Sequence, residues 1–118
     1  MDIVFYNING EATAYTEDGE HIYAYDGRAL AYLHDNSVYS YDGKHLGRFS
    51  NGWIRDNIGQ CVFFTNEAVN GPAKPVRSGR PVKLMKSTKP VKSTKSMRPM
   101  KPKDSNTWSS ISGVNFFF

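Results

Sequence analysis

The sequence predicts an all-β protein with four short β-hairpin repeats around a pseudo-fourfold axis and a polyproline-II-like basic C-terminal tail. Two observations carry this prediction. Glycines recur at Gly10, Gly27, Gly43 and Gly59, spaced by 17, 16 and 16 residues. From Lys74 onward, every third residue is basic, ten times in succession.

The glycine repeat predicts hairpins because of the residues around each glycine. Asn9, Asp26 and Asp42 directly precede three of the four glycines, between short runs rich in tyrosine. Asn-Gly and Asp-Gly are the strongest short-range signal for a two-residue hairpin, in which both central residues need positive φ. Turn residues also separate the repeats. We therefore expect eight short strands over residues 3–66, in a head domain comprising residues 1–66.

Strand alternation assigns the side chains of the second hairpin to two faces. Pairing across its turn places Tyr23 opposite Leu30 and Ile22 opposite Ala31. One face then holds Tyr23, Tyr25, Arg28, Leu30 and Tyr32, and the other holds Ile22, Ala24, Ala29, Ala31 and Leu33. The same rule predicts an inward face that includes Ala14, Ala31, Gly47 and Phe63. An Ala31→Tyr substitution is expected to overpack that face.

The repeat units resemble a known family. Residues 22–33 read Ile-Tyr-Ala-Tyr-Asp-Gly-Arg-Ala-Leu-Ala-Tyr-Leu, and residues 38–49 follow the same Tyr-x-Tyr-Asp-Gly pattern. With Asn51-Gly52-Trp53 after them, these units look like the bacterial 4-fold beta flower domain family. The likeness covers about residues 4–66, and the basic tail ending in Trp108-Ser109 also fits. The family is named for its architecture, so the resemblance implies a fold and no activity.

The tail, residues 67–104, is organised with a period of three. That period matches neither helix nor strand, but it matches polyproline II, which has three residues per turn. The basic register contains Lys74, Arg77, Arg80, Lys83, Lys86, Lys89, Lys92, Lys95, Arg98 and Lys101. The Pro/Ser register contains Pro75, Ser78, Pro81, Leu84, Ser87, Pro90, Ser93, Ser96, Pro99 and Pro102. The apolar register contains Val76, Gly79, Val82, Met85, Thr88, Val91, Thr94, Met97 and Met100.

Charge separates the head from the rest of the chain. Residues 1–66 hold nine carboxylates and four basic residues, whereas residues 67–118 hold eleven basic residues and two carboxylates. A domain of about 60 residues buries only about 60% of its unfolded surface, so the head should need additional packing. Residues 105–118 end in three phenylalanines. They are expected to form an apolar anchor on a core or an interface, with one more strand as a form that this anchor can take.

Several classes of function are disfavoured. The single cysteine, Cys61, cannot form an intrachain disulfide and is expected to be a buried strand residue. No apolar run approaches 18 residues and no signal-peptide pattern begins the chain, so a cytoplasmic protein is expected. The histidines and Cys61 lack the spacing of metal ligands. We therefore expect no catalytic site, cofactor or metal, and identify no small-molecule substrate.

Three interpretations of the tail remain open. It is a solvated linker, a binder of nucleic acid or anionic polysaccharide, or a segment that docks on its own head or a neighbouring chain through the apolar register. The third is favoured because an acidic, tyrosine-bearing head complements a basic tail. The predicted function is a non-catalytic structural or protein-interaction module that self-associates or binds a protein, with polyanion binding as the alternative. The candidate surface comprises Tyr23, Tyr25, Tyr39, Tyr41, Arg77, Arg80, Lys83, Lys86, Lys89, Lys92, Lys95 and Arg98.

Overall fold

The computed structural model describes residues 2–111 and 113–118, so Met1 and Ser112, which the predicted domain ranges include, lie outside it. It contains eight β-strands and one short 3₁₀ helix. The strands are β1 (Ile3–Tyr6), β2 (Ala12–Thr16), β3 (His21–Ala24), β4 (Ala29–His34), β5 (Ser37–Tyr39), β6 (His45–Ser50), β7 (Trp53–Asp56) and β8 (Cys61–Phe64). The 3₁₀ helix is Gly113–Phe117. Among the described residues, no helix has the length and apolar character that crossing a membrane requires.

The eight strands form one closed antiparallel barrel. Each strand pairs with the next along the chain, and β8 returns to β1 through the Tyr6–Phe64 pair. Strands β1–β2, β3–β4, β5–β6 and β7–β8 form the four predicted hairpins, here called units 1 to 4. The all-β fold class and its four repeats are therefore confirmed. Because the barrel is closed, none of the eight described strands has an unpaired edge.

The turns within the units differ from those predicted. In unit 2, the Gly27 N–H donates to the Ala24 carbonyl and the Ala24 N–H donates to the Arg28 carbonyl. This is a three-residue loop, in which a type I turn is followed by a glycine in the left-handed region. Only Gly27 has positive φ there, at 96°. The two-residue turns predicted at Asn-Gly and Asp-Gly are wrong, because the glycine serves as a bulge residue.

Two-residue turns do occur, but between the units. Asp35 and Asn36 have φ of 47° and 65°, and they connect the paired residues His34 and Ser37. Asn51 and Gly52 connect β6 to β7 in the same way, with φ of 52° and 80°. Both central residues are left-handed, as a type I′ turn requires. The turn residues recognised in the sequence thus mark the boundaries between units.

The core lies inside the barrel, on the face predicted to point inward. Ala14, Ala31 and Phe63 have no exposed surface. A Cβ on Gly47 would lie 2.0 Å from the Arg55 carbonyl oxygen, so no larger residue fits there. The predicted inward face is therefore confirmed. Small residues at these positions let the strands approach closely around the axis, which keeps the interior densely packed.

A bulge between Ile22 and Tyr23 corrects the predicted faces of unit 2. Ile22 pairs with Ala31 as expected, but Tyr23 pairs with Ala29 and not with Leu30. Leu30 therefore packs in the core, and Ala29 packs against the tyrosines. The bulge inserts one residue into β4, which exchanges the faces of these two neighbours.

The C-terminal phenylalanines complete the core. Phe116 and Phe117 are 6% and 4% exposed, and both pack on Phe63, whose ring centroid is 5.5 Å from that of Phe117. They lie on the 3₁₀ helix, so the expectation that this segment adds a strand is wrong. Upstream, Trp108 forms a single parallel bridge to Cys61. Two large aromatic side chains from outside the barrel thereby enlarge the core that eight short strands enclose.

Residues 73–105 form no helix or strand and contact the four units in chain order. Nine residues at about 3.1 Å each span about 28 Å, which is about a quarter of the perimeter of a body 36 × 35 Å across and 24 Å thick. An extended tail can therefore pass one unit every nine residues.

Replacing Phe117 with alanine is expected to destabilise the fold by about 3–5 kcal/mol, because it removes a buried ring and leaves a cavity. The matched control is Phe118→Ala. Phe118 is 73% exposed, and its loss should cost less than about 1 kcal/mol even with its contact to Arg28. Denaturant unfolding measures both. Equal midpoints for the two variants would contradict the placement of Phe117 in the core.

Candidate interaction surface

Two clusters of tyrosines line the outside of the barrel where neighbouring units meet. Tyr15, Tyr23 and Tyr25 form the first cluster, with ring centroids of Tyr15 and Tyr25 5.0 Å apart. Tyr32, Tyr39 and Tyr41 form the second in the same arrangement, with Tyr32 and Tyr41 5.4 Å apart. All six are at most 8% exposed. The rings are therefore packed between the barrel and another layer of chain. This burial raises the pKa of Tyr41 to about 12.

That layer is the tail, whose lysines lie over the rings. The Lys83 ammonium is 4.5 Å from the Tyr15 ring centroid, and the Lys92 ammonium is 4.5 Å from that of Tyr32. Lys86 lies over Tyr23 and Lys95 over Tyr32 at slightly greater distances. Each pair of equivalent lysines is nine residues apart. Ammonium groups in these positions are attracted by the negative face of the ring.

Carboxylates between the units pair with the same lysines. Lys83 contacts Asp2 and Glu17 at 2.6 and 2.7 Å, and Lys86 also contacts Glu17. Lys92 pairs with Glu20 at 2.5 Å. Hydrogen bonds from Lys83 and Lys86 lower the pKa of Glu17 to about 2. These ion pairs are near the surface, where screening makes each one weak. Their main effect is therefore on which tail residues face the head, and their contribution to stability is small.

Backbone hydrogen bonds connect the tail, together with Ser105 directly after it, to every unit. The N–H groups of Ser78, Ser87, Ser96 and Ser105 donate to the carbonyls of Gly10, Gly27, Gly43 and Gly59, at 2.8 to 3.1 Å. Between these contacts, the N–H groups of Leu84 and Ser93 donate to the Tyr25 and Tyr41 carbonyls. A nine-residue period in the tail therefore matches the glycine period of the head.

The hairpin glycines are required by the tail as well as by the turn. A Cβ on Gly27 would lie 2.0 Å from the Met85 carbonyl oxygen, and one on Gly43 would lie 2.1 Å from that of Thr94. Val76 and Lys103 approach Gly10 and Gly59 in the same way. The four approaching carbonyls are again nine residues apart. Glycine thus provides both the left-handed φ and the space for a second backbone.

The apolar register of the tail faces solvent, so the prediction that the tail packs through it is wrong. Val76, Val82, Val91 and Met97 are each at least 83% exposed. The tail is held through its backbone and its serines, and a serine next to a glycine lets the two chains approach within hydrogen-bonding distance. A valine or methionine side chain pointing inward would separate them. Docking by backbone polar groups therefore directs the apolar side chains outward.

The candidate surface residues separate into four groups. Tyr23, Tyr25, Tyr39 and Tyr41 are buried beneath the tail and do not form an open platform. Arg77 lies 5.8 Å from the Tyr6 ring centroid, and Arg98 donates to the His34 carbonyl and lies 3.5 Å from Asp35. Arg80 and Lys89 are exposed. Lys83, Lys86, Lys92 and Lys95 lie over the tyrosine rings as described above.

Sequence reasoning missed the serines that fasten the tail. Ser78, Ser87, Ser96 and Ser105 recur at a spacing of nine, a signal that is concealed by the stronger period of three. The Ser87 hydroxyl donates to the Gly27 carbonyl and accepts from the Ala29 N–H. The Ser96 hydroxyl accepts from the equivalent N–H of His45. Glu17 and Glu20 were also missed, because acidic residues in a turn have an adequate local explanation.

One buried group has the connectivity of a catalytic triad. His45 Nε2 lies 2.9 Å from the Ser37 hydroxyl, and His45 Nδ1 lies 2.8 Å from Asn57 Oδ1. Burial lowers the pKa of His45, which favours the neutral ring. Ser37, however, has no exposed surface, so a substrate carbonyl cannot reach its hydroxyl in this arrangement. The network joins unit 3 to unit 4 and provides hydrogen-bond partners for the side chains of Ser37, His45 and Asn57.

The barrel and its surface define a class of protein: a small closed β-barrel of four equivalent hairpins, encircled by its own C-terminal segment. The family model described as "4-fold beta flower protein" matches residues 3–117. The chain belongs to this family, as the Tyr-x-Tyr-Asp-Gly units predict. The match extends over the tail and the C-terminal helix. No match was found among the curated proteins or among the solved structures.

Gly43→Ala is expected to displace the tail, because its φ is 92° and its new methyl group would overlap the Thr94 carbonyl. Gly19→Ala is the matched control, since Gly19 has φ of 78° but no atom within 4 Å of its Cβ position. The control should cost about 1–2 kcal/mol from left-handed strain alone. Gly43→Ala should cost about 1–3 kcal/mol more in denaturant unfolding. Equal losses would mean that the tail does not approach Gly43.

Ser87→Ala should destabilise the protein by about 0.5–1.5 kcal/mol, because it removes the hydroxyl that accepts a hydrogen bond from the Ala29 N–H near the surface. Ser93→Ala is the control. Ser93 contributes its backbone N–H, which alanine keeps, and its side chain is exposed, so the cost should be below about 0.5 kcal/mol. Thermal unfolding of the two variants measures the difference. A similar small effect in both would show that the serine hydroxyls do not fasten the tail.

Proposed function

We propose that this protein is a non-catalytic structural or protein-interaction module whose tail docks on its own head. The observation that carries the proposal is the agreement between two periods. Serines nine residues apart donate backbone hydrogen bonds to glycines 16 or 17 residues apart, once in every unit. A solvated linker has no reason to keep such a register. The tail is, on this proposal, part of the folded unit and not a tether.

The partner-facing surface in this proposal is the outward side of the docked tail. Docking covers the tyrosines and turns Val82, Met85, Val91 and Met97 toward solvent, each more than 80% exposed. Exposed apolar side chains rimmed by charged residues are typical of protein-binding surfaces. A partner protein or a second copy of this chain could bury them. The head then holds an otherwise flexible segment in one conformation, which reduces the conformational entropy lost when a partner binds.

Polyanion binding is the alternative function, and the exposed Arg80 and Lys89 favour it. Against it, Lys83, Lys86 and Lys92 already pair with carboxylates of the head. A polyanion would have to compete for these lysines or use the remaining basic residues. Affinity for DNA or heparin should therefore be weaker than ten basic residues would give, and steeply dependent on salt.

Hydrogen exchange of the tail amides tests the proposal directly. The amides of Ser78, Ser87, Ser96 and Ser105 should exchange at least tenfold more slowly than those of Gly79, Thr88, Met97 and Asn106, because only the first set donates to the head. Protection that is independent of protein concentration would assign the docking to the same chain. Rapid exchange at all eight amides would refute docking and leave a charged tether.

A variant with Val76, Val82, Val91 and Met97 changed to serine separates the two candidate functions. Its free energy of unfolding should match that of the parent within about 0.5 kcal/mol, because these side chains are exposed. Self-association or partner binding, measured by light scattering, should decrease. Binding of labelled heparin at two salt concentrations should be unchanged. Strong heparin binding at physiological salt with no apolar-dependent association would favour the alternative function.

A further inference from the structure

Each of the four seams between units has a pair of directly opposed residues at an equivalent position, but the residue types differ between seams. A seam is the pair of strands at which two units meet: β2–β3, β4–β5, β6–β7 or β8–β1. Three seams place two aromatic residues directly opposite each other, and they are Tyr15–Tyr23, Tyr32–Tyr39 and Phe64–Tyr6. The β6–β7 seam places Arg48 opposite Arg55. Two like charges in that position repel each other, so this seam needs a counter-charge that the others do not.

The surrounding chain supplies mostly neutral partners. Arg55 is 3% exposed, and its Nη1 and Nη2 groups donate to the carbonyls of Gly59, Ser105 and Asn70. Its Nε is 3.7 Å from Asp104 Oδ1 and has no hydrogen-bond acceptor among the described residues. Arg48 donates from Nη2 to the Pro99 carbonyl, while its Nη1 is buried without an acceptor. Buried donors of this kind are normally satisfied.

A small cavity adjoins both guanidinium groups. It has a volume of about 10 Å³, room for one oxygen-sized atom, and its lining includes Arg48, Arg55, Lys101 and two carboxylates. Asp104 is shared with Lys101, whose ammonium lies 3.2 Å away. Asp56 accepts hydrogen bonds from the Ile58 and Gln60 N–H groups and from the Ser109 hydroxyl. Three cations thus face two carboxylates, one of which already accepts three hydrogen bonds from other groups.

We propose that this cavity is a binding site for a phosphate or sulfate group. One oxygen of the group occupies the cavity and accepts hydrogen bonds from Arg48 and Arg55, while the rest of the group extends toward Lys101 at the surface. Arginine donors suit oxyanions because guanidinium groups present several N–H donors in a fixed plane. Binding would neutralise the opposed arginines and join the end of the tail to the seam between units 3 and 4.

Titration of the full-length protein with inorganic phosphate tests the site, with sodium chloride adjusted to keep ionic strength constant. The unfolding midpoint should rise in a saturable manner, as expected for a ligand that binds the folded state. Arg48→Gln should raise the half-saturating concentration at least tenfold. Lys44→Gln, which removes an equivalent charge from an exposed position of the head, should leave it unchanged.

Lys101→Gln provides a second variant that does not disturb the buried seam, because the Lys101 side chain is 57% exposed. It should weaken phosphate binding about two- to tenfold, the size expected for one charge-assisted hydrogen bond. An identical, non-saturating rise in the parent, Arg48→Gln and Lys101→Gln would overturn the proposal, because general salt effects act on all variants alike. Ordered water at Arg48 Nη1 and Arg55 Nε in crystals grown with phosphate would also overturn it.

Comparison of inorganic phosphate with glycerol 2-phosphate identifies the source of the group. Equal affinities would indicate that the site accepts a phosphate carried on a larger molecule, whereas binding of inorganic phosphate alone would indicate a free ion. Either result supports an oxyanion site. Failure of both ligands to give saturable binding refutes it, without affecting the docking of the tail, which hydrogen exchange tests independently.

Discussion

The backbone hydrogen bond between a tail serine and a hairpin glycine is the interaction on which the rest of the structure depends. It occurs once in each unit, and it needs a glycine whose missing Cβ leaves room for a second chain. An extended tail advances about 28 Å in nine residues, which is about a quarter of the perimeter of a body 36 × 35 Å across. This geometric match sets the repeat lengths of two otherwise unrelated segments. The lysine positions follow from it, since the same nine-residue step carries Lys83 over Tyr15 and Lys92 over Tyr32.

The tail and the C-terminal helix supply burial that the barrel cannot provide for itself. A chain of about 60 residues buries too little surface to be comfortably stable. The tail covers two tyrosine clusters on the outside, and Phe116 and Phe117 enlarge the core on the inside. Both segments thereby add buried residues to a small all-β domain without adding strands. The cost is an apolar register that remains exposed to solvent.

The pseudo-fourfold frame allows different chemistry at positions that are geometrically equivalent. Opposed aromatic pairs stabilise three seams by ring packing, and the fourth carries Arg48 opposite Arg55. The Ser37–His45–Asn57 network also joins units 3 and 4. Both polar features are therefore concentrated where the repeat departs from its tyrosine pattern. Departures from an internal repeat are informative because symmetry supplies the comparison that a single sequence otherwise lacks.

The sequence by itself determined the eight strands, the four repeats, the inward face at Ala14, Ala31 and Phe63, and the three registers of the tail. These follow from local periodicity, which a linear pattern records directly. Only the tertiary structure decided that Gly27 is a bulge residue, because two- and three-residue loops share the Asp-Gly signal. It also decided that the tail binds through its backbone and serines, with the apolar register outward. A period of three defines three faces but does not say which one meets the head; that depends on where the glycine carbonyls and carboxylates of distant units lie. The opposition of Arg48 and Arg55 likewise arises from strand register, which no spacing in the sequence displays.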